Sequence, residues 1–85
     1  MPKSVHDPVY KELISGITAA RVASGLTQQA VAEQLGLPQS YVAKVEGCER
    51  RLDVVELLRL AKSIGVDPMP LVASAWLAVK DGRDA

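Results

Sequence analysis

The spacing of glycines relative to helix-capping residues is the feature that most constrains the fold of this chain. Five of the six glycines each follow a segment rich in helix-forming residues, where a left-handed helix-ending residue costs glycine nothing: Gly25, Gly36, Gly47, Gly65 and Gly82. Between them lie residues typical of helix starts: Asp7 before Pro8, Thr27, Asp53 with Glu56 three residues later, and Asp67 before Pro68. The pattern predicts a series of helices separated by short turns.

One helix start has no polar cap, and a second signal locates it. In a hydrophobic staple, the residue before the cap packs on the residue five positions further along. Pairs with this spacing recur along the chain: Leu26 with Val31, Leu37 with Val42, Leu52 with Leu57, and Val66 with Leu71. The second pair puts the cap of the third helix at Pro38. The predicted helices then cover residues 8–24, 28–35, 39–46, 54–64 and 68–81.

Length and composition favour one folded domain over residues 1–85, with 48% hydrophobic and 24% charged residues. No segment alternates as a strand would, so we predict an all-α domain of five helices. Its core should be aliphatic, since the aromatic residues are only Tyr10, Tyr41 and Trp76. The predicted core positions recur at helical spacing: Leu13, Ile17, Leu26, Leu35, Val42, Val45, Leu57, Leu60, Ala61 and Ile64.

The charge balance excludes a globally basic protein. Ten acidic and ten basic residues cancel, so attraction to nucleic acid would have to come from a local patch. The single Cys48 cannot form an internal disulfide, and its acidic neighbours argue against a redox role. Neither a signal peptide nor an apolar run of membrane-spanning length is evident, so we expect a cytoplasmic protein.

The segment 28–46 is a candidate helix-turn-helix. Gln28 begins its first helix, and Ala32 is small enough to let the second helix approach closely. Gly36 makes the turn. Val42 and Val45 follow six and nine residues after that glycine, where they can fill the space between the helices. This order is much more restrictive than a turn between any two helices.

These residues carry a resemblance to a known family. The segment LTQQAVAEQLGLPQSYVAKVE, from Leu26 to Glu46, and the GCERRLDVVELL that follows it resemble the phage repressor and Cro-like (XRE-type) helix-turn-helix family. The resemblance extends from about Arg21 to Asp67. It implies a lambda-repressor-like domain that binds double-stranded DNA with helix 39–46 in the major groove. Pro38 departs from the family, which usually has a capping Ser or Thr there, so one hydroxyl that could contact phosphate is absent.

Helix 39–46 has a polar side suited to base edges. Steps of about 100° per residue place four residues on one stripe: Gln39, Ser40, Ala43 and Lys44. Val42 and Val45 lie on the opposite side and should face the core. Glutamine can bond both edge atoms of adenine, lysine can donate to guanine, serine suits either purine, and an alanine methyl can touch a thymine methyl. We predict that this stripe reads bases; the alternative is an ordinary solvated helix face.

Phosphate donors should flank the stripe. The candidates lie at helix starts and in the loop after residue 46: Thr27, Gln28, Tyr41, Arg50 and Arg51. The two arginines form the local basic patch, with surface solubility as the alternative, and Tyr41 could instead serve packing alone.

Glu46 is the difficulty for a DNA-binding surface. It falls beside Gln39 on the helical wheel, where an unpaired carboxylate would be repelled by phosphate. The family resemblance implies its partner, because Arg21 matches the position whose guanidinium pairs with this glutamate. We therefore assign Arg21 and Glu46 a structural role.

The last predicted helix is apolar around almost its whole circumference. Five residues are candidates for self-association: Leu71, Val72, Trp76, Leu77 and Val79. The alternative is that they pack inward or beneath the N-terminal arm. The family often dimerises through this region, so we predict a homodimer.

The function that these features favour is sequence-specific DNA binding in a bacterium or phage, at the nucleoid. We predict a homodimeric transcription regulator, most simply a repressor, on a pseudo-palindromic operator with half-sites about one helical turn apart. The alternative is a protein-interaction module or an antitoxin-like protein with a protein partner, for which DNA binding is secondary. His6 has no second ligand nearby and no nucleophile–base pair is evident, so we predict no metal, no cofactor and no enzyme activity.

Overall fold

Five helices account for most of residues 7–79, the part of the chain that the computed structural model describes. They are α1 (Pro8–Ala23), α2 (Gln28–Leu35), α3 (Gln39–Glu46), α4 (Val54–Ile64) and α5 (Met69–Ala78). Residues 7–79 contain no strand, which confirms the predicted all-α class. The predicted bounds of α2, α3 and α4 are those observed, and α1 ends one residue earlier than predicted.

The predicted start of α5 is one residue too early, and its predicted end is too late. Pro68 already has helical dihedrals, and Asp67 Oδ1 accepts a hydrogen bond from Met69 N at 2.9 Å. The capping signal at Asp67 and Pro68 therefore identifies the first turn of α5 correctly. The helix ends at Ala78 because Val79 adopts an extended conformation. Residues 80–81 of the predicted helix, the predicted stop at Gly82, and His6 lie outside the described residues.

The predicted caps form hydrogen bonds. Asp7 accepts from Val9 N at 2.7 Å and Thr27 from Ala30 N at 3.0 Å. Asp53 accepts from Glu56 N while Glu56 accepts from Asp53 N, so α4 begins with a capping box. Local sequence therefore determines where these helices begin.

The end of α3 differs from the prediction in one detail. The helix stops before Gly47 as expected, but Gly47 has φ −83° and is not left-handed. The left-handed residue is Cys48, with φ 56°. A non-glycine residue pays a steric cost in this conformation, so the turn after α3 is set by its surroundings and not by glycine.

The core lies where α1, α2, α3 and α4 meet. Its buried members are Ile14, Ile17, Val31, Ala32, Val42, Val45, Leu52, Leu57, Leu60, Ala61 and Ile64. Three predicted core residues, Leu13, Leu26 and Leu35, are only partly buried and pack at the edge of this cluster. Helical periodicity misses Leu52 because it lies in the loop before α4.

The helices are arranged so that α3 is braced from behind. α3 packs on α1 and α2, and α4 packs on the same two helices. Within residues 7–79, α3 and α4 do not pack against each other, and α5 packs on α1 alone. A Cβ built on Gly16 of α1 would lie 2.7 Å from Leu71 Cδ2, so glycine makes room for α5 there. None of the described helices is long and apolar enough to cross a lipid bilayer.

Candidate nucleic-acid interface

The polar side of α3 faces outward. Gln39, Ser40 and Lys44 are exposed, and Ala43 is half-buried between them. Val42 and Val45 on the opposite side are completely buried. Burial of this apolar side fixes the rotation of α3 about its own axis. The polar stripe is therefore open to solvent.

A guanidinium ties α3 to α1. Arg21 Nε donates to Glu46 Oε2 at 2.6 Å, and Nη2 donates to Oε1 at 3.0 Å. Arg21 Nη1 also donates to the carbonyl of Leu26 at 2.7 Å. Both side chains are mostly shielded, with 13% and 11% of their surface exposed, and the hydrogen bonds to Glu46 raise the pKa of Arg21. The carboxylate beside the stripe is thus held by a cation.

Gln28 extends this network to the stripe. Its Nε2 donates to Glu46 Oε1 at 2.9 Å, and its Oε1 accepts from Gln39 Nε2 at 2.7 Å. A carboxylate only accepts hydrogen bonds, so the amide of Gln28 must turn its nitrogen toward Glu46 and its oxygen toward Gln39. The acid thereby determines how Gln39 is held. Gln39 keeps its second N–H and its Oε1 for another partner.

From the sequence, Gln28 was predicted only to contact phosphate, and its bridging role was not predicted. A signal for it was present: Gln28 and Gln39 are each the first residue of a helix in the helix-turn-helix, and Glu46 is two turns after Gln39 on the same side. The distance between the two glutamines, however, depends on how closely α2 and α3 cross.

The other candidate phosphate contacts differ in how far their side chains are already bonded within the protein. Arg50 is bonded to Glu56, with Nη2 to Oε2 at 3.0 Å and Nη1 to Oε1 at 3.3 Å. Its guanidinium also lies 4.7 Å from the ring centroid of Tyr41. Tyr41 is half-buried, and this burial raises the pKa of its hydroxyl. Thr27 is exposed at the start of α2, where its hydroxyl caps the helix.

Arg51 is the more accessible of the two loop arginines. It is exposed, with its guanidinium 5.9 Å from the ring centroid of Tyr10. The Tyr10 hydroxyl accepts from Leu52 N at 2.9 Å and donates to the carbonyl of Arg50 at 3.4 Å. Tyr10 therefore holds the loop that presents both arginines, a role that the sequence analysis missed because it depends on a contact across about 40 residues.

The α5 candidates for self-association divide into two groups. Trp76 is 75% exposed and Leu77 79% exposed, and Val72 and Val79 are exposed as well. Leu71 instead packs inward, beside Gly16. None of residues 69–78 is buried. The whole of α5 therefore does not pack inward.

Comparisons with known proteins agree with this architecture. A family model described as helix-turn-helix matches residues 17–71. The chain is similar to an XRE-family like protein from Pseudomonas syringae pv. tomato str. DC3000, with a TM-score of 0.82 and 40% identity, covering 92% of this chain and 95% of that one. It is also similar to the restriction-modification controller protein C.AhdI from Aeromonas hydrophila, with a TM-score of 0.65 and 32% identity, covering 73% of this chain and 94% of that one.

A longer protein contains a related segment. The propionyl-CoA carboxylase regulator of Cereibacter sphaeroides is 39% identical over 66 residues, which is 76% of this chain and 14% of that protein. The chain therefore spans about one seventh of the length of this curated relative.

Proposed function

The chain belongs to the XRE-type helix-turn-helix family of DNA-binding transcription regulators, and from this premise we propose that α3 enters the major groove and reads base edges with its outward stripe. The observation that carries the proposal is the hydrogen-bonded chain from Arg21 through Glu46 and Gln28 to Gln39. These hydrogen bonds hold the Gln39 side chain in place before DNA binds, so less side-chain entropy is lost on binding.

Each member of the stripe has a base for which its chemistry is suited. Gln39 retains one N–H and its Oε1, which match N7 and the N6 amino group of adenine. Lys44 can donate to O6 and N7 of guanine, and the Ser40 hydroxyl can donate or accept. The Ala43 methyl group can contact the methyl group of thymine.

We assign the flanking donors to the DNA backbone. Arg51 is the strongest candidate because it is exposed, whereas the charge of Arg50 is largely offset by Glu56. Thr27, Gln28 and Tyr41 lie beside the start of α2 or on α3 and would add hydrogen bonds to phosphate oxygens.

We propose that the regulator acts as a homodimer through α5. The exposed side of this helix is apolar and uncharged, so two copies can face each other about a two-fold axis without opposing like charges. Two α3 helices would then meet half-sites about one DNA turn apart. A dimer bound over a promoter in the bacterial cytoplasm would exclude polymerase, so repression by occupancy is the simplest outcome.

Selection from randomised duplex DNA tests the proposed binding mode. The chain should enrich a pseudo-palindromic sequence. Gln39→Ala and Lys44→Ala should each cost roughly 1 to 3 kcal/mol on that sequence and relax the base preference at one position. Arg51→Ala should weaken all sequences similarly and reduce the salt dependence.

The matched control for Lys44 is Lys62→Ala, which removes an exposed lysine from α4, a helix that does not pack on α3. Equal losses on selected and random DNA for Lys44→Ala would make Lys44 a backbone contact. Failure of the unaltered chain to enrich any sequence would contradict base reading by α3.

A further inference from the structure

The outward side of α4 is a second surface with unusual chemistry. Steps of about 100° per residue place five residues on one stripe that runs beside the buried side formed by Leu57, Leu60, Ala61 and Ile64. We call them the α4 face: Val54, Val55, Leu58, Arg59 and Lys62. All five are exposed; Val54 is 71% and Leu58 47% exposed. Three aliphatic side chains on the solvent side of a helix call for an explanation beyond solubility.

The charges on this face have one sign. Arg59 and Lys62 are its charged members, and they lie on the C-terminal half of α4 beyond the aliphatic residues. Both line an open cavity of about 320 Å³ between α2 and α4, together with Gln34, Leu35 and Ser63. The nearby carboxylate of Glu56 is turned toward Arg50. The α4 face therefore has an apolar half and a basic half, and the basic half borders the cavity.

The geometry disfavours DNA and a second copy of this chain as occupants. Three of its five side chains are aliphatic, and aliphatic side chains gain little against phosphate. A second copy would offer these cations no carboxylate: a parallel two-fold contact sets Arg59 and Lys62 against the same cations, and an antiparallel one sets them against Val54 and Val55. The uncharged side of α5 carries no such penalty.

We propose that the α4 face docks an acidic amphipathic helix of another protein. Its aliphatic edge would cover Val54, Val55 and Leu58, and its carboxylates would meet Arg59 and Lys62 at the cavity between α2 and α4. This inference goes beyond DNA binding and requires neither the operator nor the dimer. It gives a DNA-bound regulator a means to contact a neighbouring protein.

The test uses the full 85-residue chain and a designed helical peptide of about 18 residues, long enough to form several turns. The peptide carries leucine along one edge and glutamate along the next, and its twin carries glutamine in place of glutamate. We expect the acidic peptide to shift amide resonances of α4 and of the facing residues of α2 in NMR spectra of the labelled chain. The glutamine twin should bind several-fold more weakly.

Variants separate the two halves of the face. The double change Arg59→Gln with Lys62→Gln should weaken the acidic peptide about tenfold but not its glutamine twin, because each exposed ion pair contributes up to about fivefold. Leu58→Ser should weaken both peptides. Its matched control is Val22→Ser, which removes an exposed aliphatic residue from α1, outside the three proposed surfaces, and should leave peptide binding unchanged.

Three results would overturn the proposal. The first result is that the chain binds the two peptides equally well or binds neither. The second is that the resonance shifts are centred on α5 or α3. The third is a loss of DNA affinity in the Arg59→Gln, Lys62→Gln chain, which would assign these cations to the DNA backbone. Because DNA binding is measured separately, failure of peptide docking leaves the proposed base reading by α3 intact.

Discussion

At the scale of single residues, Arg21 contributes most to the geometry of the interface. One planar guanidinium satisfies both oxygens of Glu46 and the carbonyl of Leu26, so it fixes α3 and the start of the helix-turn-helix relative to α1. Lysine has one charged nitrogen and could not reproduce this fork. The pair orders the interface more than it stabilises the fold, because both groups must lose water to form it.

Removal of one member of the pair should therefore cost more than removal of both. Arg21→Ala leaves the carboxylate of Glu46 without its cation and should lower the free energy of unfolding by about 3 kcal/mol, the lower end of the cost of breaking a buried pair. The double change Arg21→Met with Glu46→Met should recover most of that loss. Urea unfolding measures both, and a double variant as unstable as Arg21→Ala would show that the carboxylate is not the source of the cost.

Cys48 is a second single residue that affects stability, in this case through its backbone conformation. Its left-handed backbone, with φ 56°, is disfavoured by about 1 kcal/mol for any residue with a Cβ. Cys48→Gly should therefore be more stable than Cys48→Ala by about that amount. Both variants lose the thiol, so the difference between their urea midpoints isolates the backbone contribution. Equal midpoints would show that the left-handed turn is not strained.

At the scale of elements, the joint between α3 and α4 is held by side chains and not by helix packing. The Tyr10 hydroxyl bonds to both sides of the loop, and Arg50 reaches forward to Glu56 in the first turn of α4. Hydrogen bonds from Arg50, and next from the backbone N–H of Asp53, lower the pKa of Glu56. The same carboxylate thus caps α4 and restrains the arginine loop.

This joint should weaken in acid. The pKa of Glu56 is lower in the folded chain than its ordinary value of 4.5, so its charge stabilises the fold above pH 4.5. That contribution declines as the pH falls below 4.5 and is lost below the folded-state pKa. Glu56→Gln, which keeps an oxygen for the cap, should flatten the fall in urea midpoint between about pH 6 and 3.

Arg50→Gln removes the main cause of the lowered pKa and serves as the companion variant. It should flatten the same part of the pH profile, and combining it with Glu56→Gln should add little. If the Glu56→Gln profile runs parallel to that of the unaltered chain, the ion pair does not contribute to acid sensitivity.

At the scale of the whole molecule, three exposed surfaces on separate helices differ in their chemistry. The stripe on α3 is polar, the exposed side of α5 is apolar and uncharged, and the α4 face combines aliphatic residues with cations. They lie on three helices that do not pack against one another within residues 7–79. We expect DNA, a second copy and a protein partner to bind without mutual exclusion.

The dimer is the prediction that belongs to this scale. The chain should have twice its monomer mass by light scattering at micromolar concentration, and Trp76→Ala or Leu77→Ser should weaken self-association about tenfold or more. Val22→Ser, which removes an exposed apolar residue from α1, is the matched control and should leave the mass unchanged. A monomer mass for the unaltered chain would assign the apolar side of α5 to a different protein, as in the antitoxin-like alternative.

Much of this molecule follows from local sequence. Caps and turns act within four or five residues, so Thr27, Asp53 and the hydrophobic staple at Leu37 were sufficient to place the starts of α2, α4 and α3. The helical period also predicted that Val42 and Val45 would be buried and that Gln39 and Lys44 would be exposed.

Contacts between distant segments needed the tertiary structure. The bridge from Glu46 through Gln28 to Gln39 and the support of the loop by Tyr10 depend on how closely helices cross, which no local pattern encodes. The left-handed Cys48 was hidden for the same reason, since the chain after α3 must turn toward a loop anchored on α1 and α4. Short-range sterics and hydrogen bonding thus made the helices predictable, whereas long-range packing decided which side chains cooperate.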